Sequence, residues 1–276
     1  MSFDANAQAG ERLFLGRLHR NHADSFRVLD STIKLGDAFV AATHGREGST
    51  DATHMMYIMF SRMYNTITTA SILLKQGYGV ESGMLTRAFL EGFFNFCYVT
   101  SINEAERDKL AKRFFAYQWV TRYFKIRNVA RAGGQVPKRL HQEAKANWKK
   151  HWVANYGWDE IANQLDWSGL GLSDKAKAGG VIDVYKWLHP YFSELVHGGP
   201  DAWQGSVEES DEKIIFSIGP KDDANIDFSI PTFAFLFSSV MHTMAVLLNL
   251  PDLMKQADEV EALARSIFPK QAKRNP

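Results

Sequence analysis

The chain has 276 residues and a formal net charge of +1, with 45% apolar and 23% charged residues. These values are typical of a globular protein, and they exclude a disordered chain and a strongly basic or acidic one. The one cysteine excludes an internal disulfide, and the first residues lack the basic start and apolar run of a signal peptide. We therefore expect a cytoplasmic protein.

Apolar residues recur at helical spacing along most of the chain and predict an all-α fold, a bundle of about seven to nine helices. Residues 1–24 are polar and mixed, and we expect a loose lead-in with one short helix. A single helical domain is expected over residues 25–268, leaving 269–276 as a frayed tail. Long helices are predicted at about 52–76 and 80–100, and the glycines between them favour an antiparallel hairpin.

The predicted helix at 80–100 is almost entirely apolar and carries two charges, Arg87 and Glu91, four residues apart. At this spacing the two side chains share one helix face and can form an ion pair. A buried charge needs such a partner, because removing an unpaired ion from water is costly. Two interpretations stay open. The pair is either a structural link to a neighbouring helix or an anion site, in which Arg87 binds the ligand and Glu91 orients it or acts as a base.

Residues 104–157 are predicted to form a basic helical arm of two helices, with Asn103 as the N-cap of the first. From Lys109 to Lys150 there are twelve Lys and Arg residues against one acid. One interpretation is that basic and aromatic side chains bind a nucleic acid or another polyanion. The residues expected to do so are Lys138, Arg139, Lys145, Trp148, Lys149 and Lys150. The other interpretation is a solvated helix pair, neutralised by the eight acids of residues 201–227.

The last third of the chain begins with two short apolar runs, at 213–219 and 226–230, which predict a small β-hairpin near 213–230. The apolar stretch 231–250 is about long enough to cross a bilayer. Polar residues interrupt it and no Lys/Arg cluster flanks it closely, so we expect a buried helix and no membrane span. Its apolar surface exceeds what one core is expected to bury, which favours a homodimer.

A second polar cluster follows the basic arm, in a helix that Pro190 is expected to kink or split. In one interpretation His197 is an acid/base group with Tyr191 and Ser193 around it. In the other, His197 is a favourable cation at the end of the helix. Glu194 and His197 also form half of a di-iron motif, but the second Glu-x-x-His is missing. We expect no metal and no cofactor.

Three sequence patterns resemble a mostly bacterial family of helical proteins, catalogued as domain of unknown function 5677. The first is Arg87-x-x-x-Glu91 followed by an aromatic run. The others are the ending formed by Tyr191, Ser193, Val196 and His197 and the preceding tryptophan-bearing segment Trp167-Ser168-Gly169. The resemblance covers roughly residues 50–205. It implies a helical bundle in which the first pattern and the ending meet, and it carries no established activity.

Two functions are consistent with these features. The first is an intracellular enzyme or toxin-like factor that binds or cleaves a phosphate-bearing substrate such as RNA without a metal. Its candidate catalytic residues are expected to form one buried polar site and are Arg87, Glu91, Tyr191, Ser193 and His197. The second is a non-catalytic helical interaction or scaffold module that uses the basic arm as a docking surface, with the same five residues as part of its core.

Overall fold

The computed structural model describes residues 3–45, 50–157, 166–197, 207–210, 213–216, 220 and 224–268. The helices are α1 (Phe3–Asn21), α2 (Ala23–Thr43), α3 (Asp51–Lys75), α4 (Gly79–Ser101), α5 (Glu104–Arg131), α6 (Lys138–Trp148), α7 (Ala154–Tyr156), α8 (Leu172–Ala178), α9 (Ile182–His197), α10 (Ala224–Leu247) and α11 (Pro251–Ile267). A π-helical turn, Lys149–Val153, connects α6 to α7. Strands β1 (Val207–Ser210) and β2 (Lys213–Phe216) pair antiparallel.

The predicted all-α class is confirmed, and the predicted hairpin is correct in only one of its strands. Residues 213–216 form β2, but their partner is β1, which precedes them in the chain. Residues 226–230 belong to α10 instead. Ile226, Ile230 and Phe233 recur at intervals of four and three residues and are all fully buried. This helical spacing, continued by Phe237, accounts for the difference.

The predicted loose lead-in at residues 1–24 is wrong for the described part of that segment, which is helix α1 with 19 residues. Leu18 near its end is fully buried. The ring of His19 lies 3.0 Å from the carbonyl oxygen of Lys75. In the following turn, Nδ1 of His22 lies 2.8 Å from a carboxylate oxygen of Asp227. These contacts fix the first helix to the core. The predicted tail at 269–276 lies outside the described residues.

The chain divides into two compact units, so the expected single domain at 25–268 is subdivided. The first unit contains residues 1–46, 59–94 and 183–276, and the second contains residues 47–58 and 95–182. The division falls inside α3 and α4, and each unit is described by itself below.

The first unit is organised around α10, which packs against α2 and α11. Val28, Ala234 and Ala264 form one buried contact cluster among these helices. Helix α10 is long and apolar enough to cross a membrane, but 67% of its most apolar window is buried within the fold, as in the core helix of a globular protein. The apolar surface that suggested a homodimer is largely packed inside this unit, so the homodimer stays a prediction without that support.

The second unit contains the basic arm, in which α5 packs against α6 and the π-helical turn. The predicted N-cap of α5 is confirmed, since the side chain of Asn103 accepts a hydrogen bond of 3.0 Å from the backbone N–H of Glu106. The buried core of the arm consists of Val120, Tyr123, Ala144, Trp148 and Trp152. An aromatic core therefore holds the two helices of the arm together.

Candidate functional site

The first polar cluster lies in the first unit, where α4 meets α9. The guanidinium of Arg87 donates from Nε to the hydroxyl of Ser193 at 2.9 Å and from Nη1 to Glu91 at 2.7 Å. Arg87 is 17% exposed, whereas the side chain of Glu91 is 49% exposed. The expected ion pair is therefore present, and its arginine also links the two helices that carry the two patterns.

Close packing of α4 on α9 brings these side chains together. Helix α9 buries Leu188, Phe192 and Leu195, which are spaced four and three residues apart. Gly83 of α4 lies directly against the side chain of Leu195, and a Cβ atom at this position would be accommodated only by a shift of the Leu195 methyl group. The helix is continuous through Pro190, so the predicted split of the helix into two is not observed, and the predicted kink stays a prediction. Ser193 lies one turn after His189 in this continuous helix, within hydrogen-bonding distance of Arg87.

His189 is a further member of this cluster, and the sequence analysis did not name it as a site residue. Burial lowers the pKa of His189 below its ordinary value of 6.5, the charge of Arg87 lowers it further, and the charge of Glu91 opposes the shift. The ring of His189 stacks on Tyr185 with 4.5 Å between ring centroids. His189 and Ser193 are four residues apart and so share one face of α9. That spacing was the sequence signal that could have found it.

Tyr191 and His197 do not join the contacts of Arg87. The hydroxyl of Tyr191 donates to the side-chain oxygen of Asn225 at 2.8 Å, and Tyr191 is 41% exposed. His197 is the last residue of α9 and is exposed. The expected burial of His197 is therefore wrong, because the helix ends beyond the packed face on which Leu195 lies. The catalytic roles assigned to these residues stay predictions.

The predicted polyanion-binding residues divide into two groups in the structure. The five cations are all exposed, namely Lys138, Arg139, Lys145, Lys149 and Lys150. Trp148 is only 5% exposed and stacks on Tyr123 with 4.6 Å between ring centroids. The expected contact of Trp148 with a polyanion is therefore wrong, because this ring belongs to the core of the arm. Its spacing of four residues from Ala144 and Trp152 was the signal of a buried face.

The second unit contains a more deeply buried ionic cluster that sequence reasoning also missed. Lys175 of α8 is 1% exposed. Its ammonium group forms an ion pair with Asp166, donates to the side-chain oxygen of Asn95 at 2.8 Å, and lies 5.1 Å from the ring centroid of Trp167. Asp166 also accepts hydrogen bonds from the backbone and hydroxyl of Ser168. The tryptophan-bearing segment therefore closes over a buried charge.

Two further features bear on reactive chemistry. Burial raises the pKa of Cys97 to about 12, so its thiol stays protonated and is a poor nucleophile near neutral pH. Within the described ranges, no group of three or more His, Cys, Asp or Glu side chains is arranged to hold a metal ion.

Together, the fold and the polar clusters define a class of all-helical protein in which an Arg-x-x-x-Glu helix contacts the helix of a Tyr-x-Ser ending. A family model described as a family of unknown function (DUF5677) matches residues 53–214. The chain belongs to this family. Comparison with curated proteins finds no match, and comparison with solved structures finds none either.

Proposed function

We propose that this protein binds a phosphodiester of RNA at Arg87 and cleaves it without a metal, with His189 as the general base. The observation that supports this proposal is the joint placement of four groups. Arg87 contacts Ser193 and Glu91, and the pKa of His189 responds to the charges of Arg87 and Glu91. His189 replaces His197 in this proposal, because His197 is exposed at the end of α9.

Arg87 supplies the anion site. A guanidinium has five N–H donors, and the bonds to Ser193 and Glu91 use two of them. The remaining donors suit the non-bridging oxygens of a phosphate, to which arginine binds in a planar, two-pronged geometry. Glu91 fixes the plane of the guanidinium, and its half-exposed side chain leaves this edge accessible to a ligand.

His189 supplies the proton transfer. Its lowered pKa keeps the imidazole neutral near pH 7, which is the form that accepts a proton. The imidazole takes the proton of the ribose 2′-hydroxyl, the 2′-oxygen attacks phosphorus, and the bond from phosphorus to the 5′-oxygen breaks. The 5′-oxygen takes a proton from water, which leaves a 2′,3′-cyclic phosphate. Arg87 stabilises the charge on the phosphate oxygens, and Glu91 favours the imidazolium that forms.

The test compares two histidines of one helix by the same substitution. His189→Gln and His197→Gln are each assayed on a fluorescent single-stranded RNA in the presence of EDTA. We expect His189→Gln to reduce kcat/KM by about 10²–10⁴-fold, the usual contribution of a general base. His197→Gln should leave kcat/KM unchanged. Arg87→Ala should abolish cleavage, whereas Arg87→Lys should retain part of it because the positive charge remains.

Two results would contradict the proposal. One is a folded parent protein that cleaves no RNA under these conditions. The other is equal activity of the parent and His189→Gln, which would leave the Arg87 cluster with a structural role.

The exposed cations of the basic arm favour a second candidate function, a non-catalytic module that docks on a polyanion. Its test is the binding of single-stranded RNA at increasing salt, where each phosphate contact contributes a slope of about −0.7 in log K against log salt. Replacing Lys145, Lys149 and Lys150 by Gln should flatten this dependence. A matched variant replaces three exposed lysines outside the arm, Lys34, Lys177 and Lys255. Equal effects of the two variants, or binding that ignores salt, would contradict a docking surface on the arm.

A further inference from the structure

A cavity in the second unit, lined by none of the residues assigned to the two proposed functions, has the features of a small-molecule site. It has a volume of about 550 Å³, within the range typical of ligand pockets. It is formed by the end of α4, the start of α5 and the last residue of α7. The residues that matter for its chemistry are Tyr98, Ser101, Ile102, Lys109, Arg113 and Tyr156.

Arg113 is the distinctive group in this cavity. Its Nε atom is buried and donates to no acceptor among the described residues. Its guanidinium carbon lies 5.4 Å from the ring centroid of Trp152 and 5.8 Å from that of Tyr156. The rings hold the cation by its faces and leave its N–H edges for hydrogen bonds. The ring contacts, and not a hydrogen bond at Nε to another described residue, therefore hold the guanidinium, and its terminal N–H groups supply donors for a ligand.

A neighbouring arginine of α5 shows a different arrangement. Arg107, six residues earlier, donates to the backbone carbonyl oxygens of Val99, Thr100 and Ile102 at the end of α4. Its guanidinium therefore completes the end of a helix. Within the described part of the chain, Arg113 has no comparable backbone acceptor for its Nε atom. The two arginines thus divide into one structural and one available group.

The charge balance of the cavity wall favours an anion. Glu106 and Lys109 form an ion pair of 2.7 Å, so they largely neutralise one another. Arg113 then supplies the net positive charge. Burial raises the pKa of the Tyr98 phenol, the charge of Arg113 opposes the shift and the charge of Asp166 adds to it, so the hydroxyl stays a protonated donor in the cavity wall. The side chains of Ile102 and Tyr156 provide apolar and aromatic surface for the body of a ligand.

We propose that the Arg113 cavity binds a small organic anion, a carboxylate or phosphate oxyanion joined to a planar or apolar body. The oxyanion accepts hydrogen bonds from Arg113 and Tyr98, and the body lies against Tyr156 and Ile102. This site is independent of the RNA cleavage proposed for Arg87.

The experiment is a titration of the full chain with phenyl phosphate, followed by the ¹³C-methyl signal of Ile102, which lines the cavity. This signal separates binding here from binding at Arg87. Inorganic phosphate and phenol are titrated in parallel as the oxyanion alone and the ring alone. We expect phenyl phosphate to saturate the Ile102 signal with the lowest Kd of the three, since it alone uses both parts of the cavity.

Arg113→Gln should weaken this binding by about tenfold to a hundredfold, the loss expected for hydrogen bonds to a charged group. Arg122→Gln is the matched control, because Arg122 also lies on α5, over the ring of Trp119 at 5.7 Å, and does not line this cavity. It should leave Kd unchanged. If Arg113→Gln fails to fold, Tyr98→Phe decides, since it removes only one hydroxyl and should weaken binding measurably.

Three results would overturn the proposal. The Ile102 signal could stay unchanged up to about 10 mM phenyl phosphate, which would mean an affinity weaker than the millimolar range of a small-ligand site. The two glutamine variants could weaken binding equally, which would indicate general electrostatic attraction. Tyr98→Phe could bind as the parent does while Arg113→Gln does not fold.

Discussion

The two units each contain a cation paired with a carboxylate, and the two pairs differ in their exposure to water. Lys175 is 1% exposed and is enclosed by Asp166, Asn95 and the ring of Trp167. Arg87 is 17% exposed, and its partner Glu91 is half-exposed. Both pairs lie within residues 53–214, which match the family model, so membership of the matched region does not distinguish them.

This difference in exposure separates a structural role from a chemical one. A fully buried ammonium group surrounded by its acceptors cannot reach a ligand without unfolding its surroundings, and losing one acceptor leaves a charge in an apolar interior. An arginine at the surface of a helix pair keeps donors within reach of solvent. We therefore assign Lys175 to the stability of its unit and Arg87 to the proposed chemistry. The predictions below test this division.

Removing the carboxylate charge from each pair in turn should give the largest change in the free energy of unfolding, and the two changes should be unequal. Asp166→Asn leaves the buried charge of Lys175 without its counterion, and we expect the free energy of unfolding to fall by about 3–5 kcal/mol at pH 7. Glu91→Gln breaks an exposed pair and should cost about 1 kcal/mol or less. Urea unfolding followed by circular dichroism measures both values.

The double variant Lys175→Met, Asp166→Asn serves as the control for this comparison. It removes the buried charge together with its partner, so we expect it to recover most of the stability lost in Asp166→Asn. Equal losses in Asp166→Asn and Glu91→Gln would show that exposure does not separate the two pairs.

Replacing a glycine by alanine should also destabilise the protein more beside the Lys175 pair than beside the Arg87 pair. We expect this difference to be smaller than the difference between the two carboxylate variants. A Cβ atom at Gly179 would lie 2.9 Å from the backbone carbonyl carbon of Cys97 and 3.0 Å from the backbone nitrogen of Tyr98. Backbone atoms cannot rotate away, so we expect Gly179→Ala to cost about 1–3 kcal/mol. At Gly83 the added atom meets the flexible end of Leu195, and alanine favours the helix by about 1 kcal/mol.

Thermal unfolding of Gly179→Ala and Gly83→Ala measures this difference. We expect a lower Tm for the first and a Tm near that of the parent for the second. If Gly83→Ala is the more destabilising variant, then the contact between α4 and α9 is less adaptable than that between α8 and α4.

The fold class was predictable because helical periodicity is a local property of the sequence. The N-cap at Asn103 and the pairing of Arg87 with Glu91 were predictable for the same reason, since their partners lie three and four residues away. The contact of Arg87 with Ser193 spans 106 residues, and spacing carries no information over that distance. It was implied only by the family resemblance.

The burial of Lys175 could not be predicted because its surroundings along the chain are polar. Helix α8 has the sequence LSDKAKA, in which two lysines stand two residues apart, so they lie on different faces of the helix. Lys175 is buried and Lys177 is exposed, and nothing local to the helix decides which. The choice is made by Asn95, which lies 80 residues away.

The titration of His189 is the smallest and most specific test of the Arg87 cluster. Its pKa should lie below 6.5, measured from the ring C–H signals by NMR, because burial and Arg87 both disfavour the charged ring. Arg87→Ala should raise this pKa and Glu91→Gln should lower it further, while His197→Gln should leave it unchanged. If none of these variants shifts it, His189 does not share the cluster's electrostatic field.

The sign of the matching stability change follows from proton binding. A histidine with a lowered pKa binds fewer protons in the folded chain than in the unfolded chain once the pH falls below about 6.5. The contribution of His189 to the free energy of unfolding is therefore complete above that pH and decreases as the pH falls through the window between the two pKa values. His189→Gln should flatten this slope relative to the parent, as measured by urea unfolding from pH 7.5 down to about pH 5. An unchanged slope in His189→Gln would mean that another group carries the pH dependence and that the imidazole beside Arg87 is free to charge, which would remove the basis for its role as a neutral base.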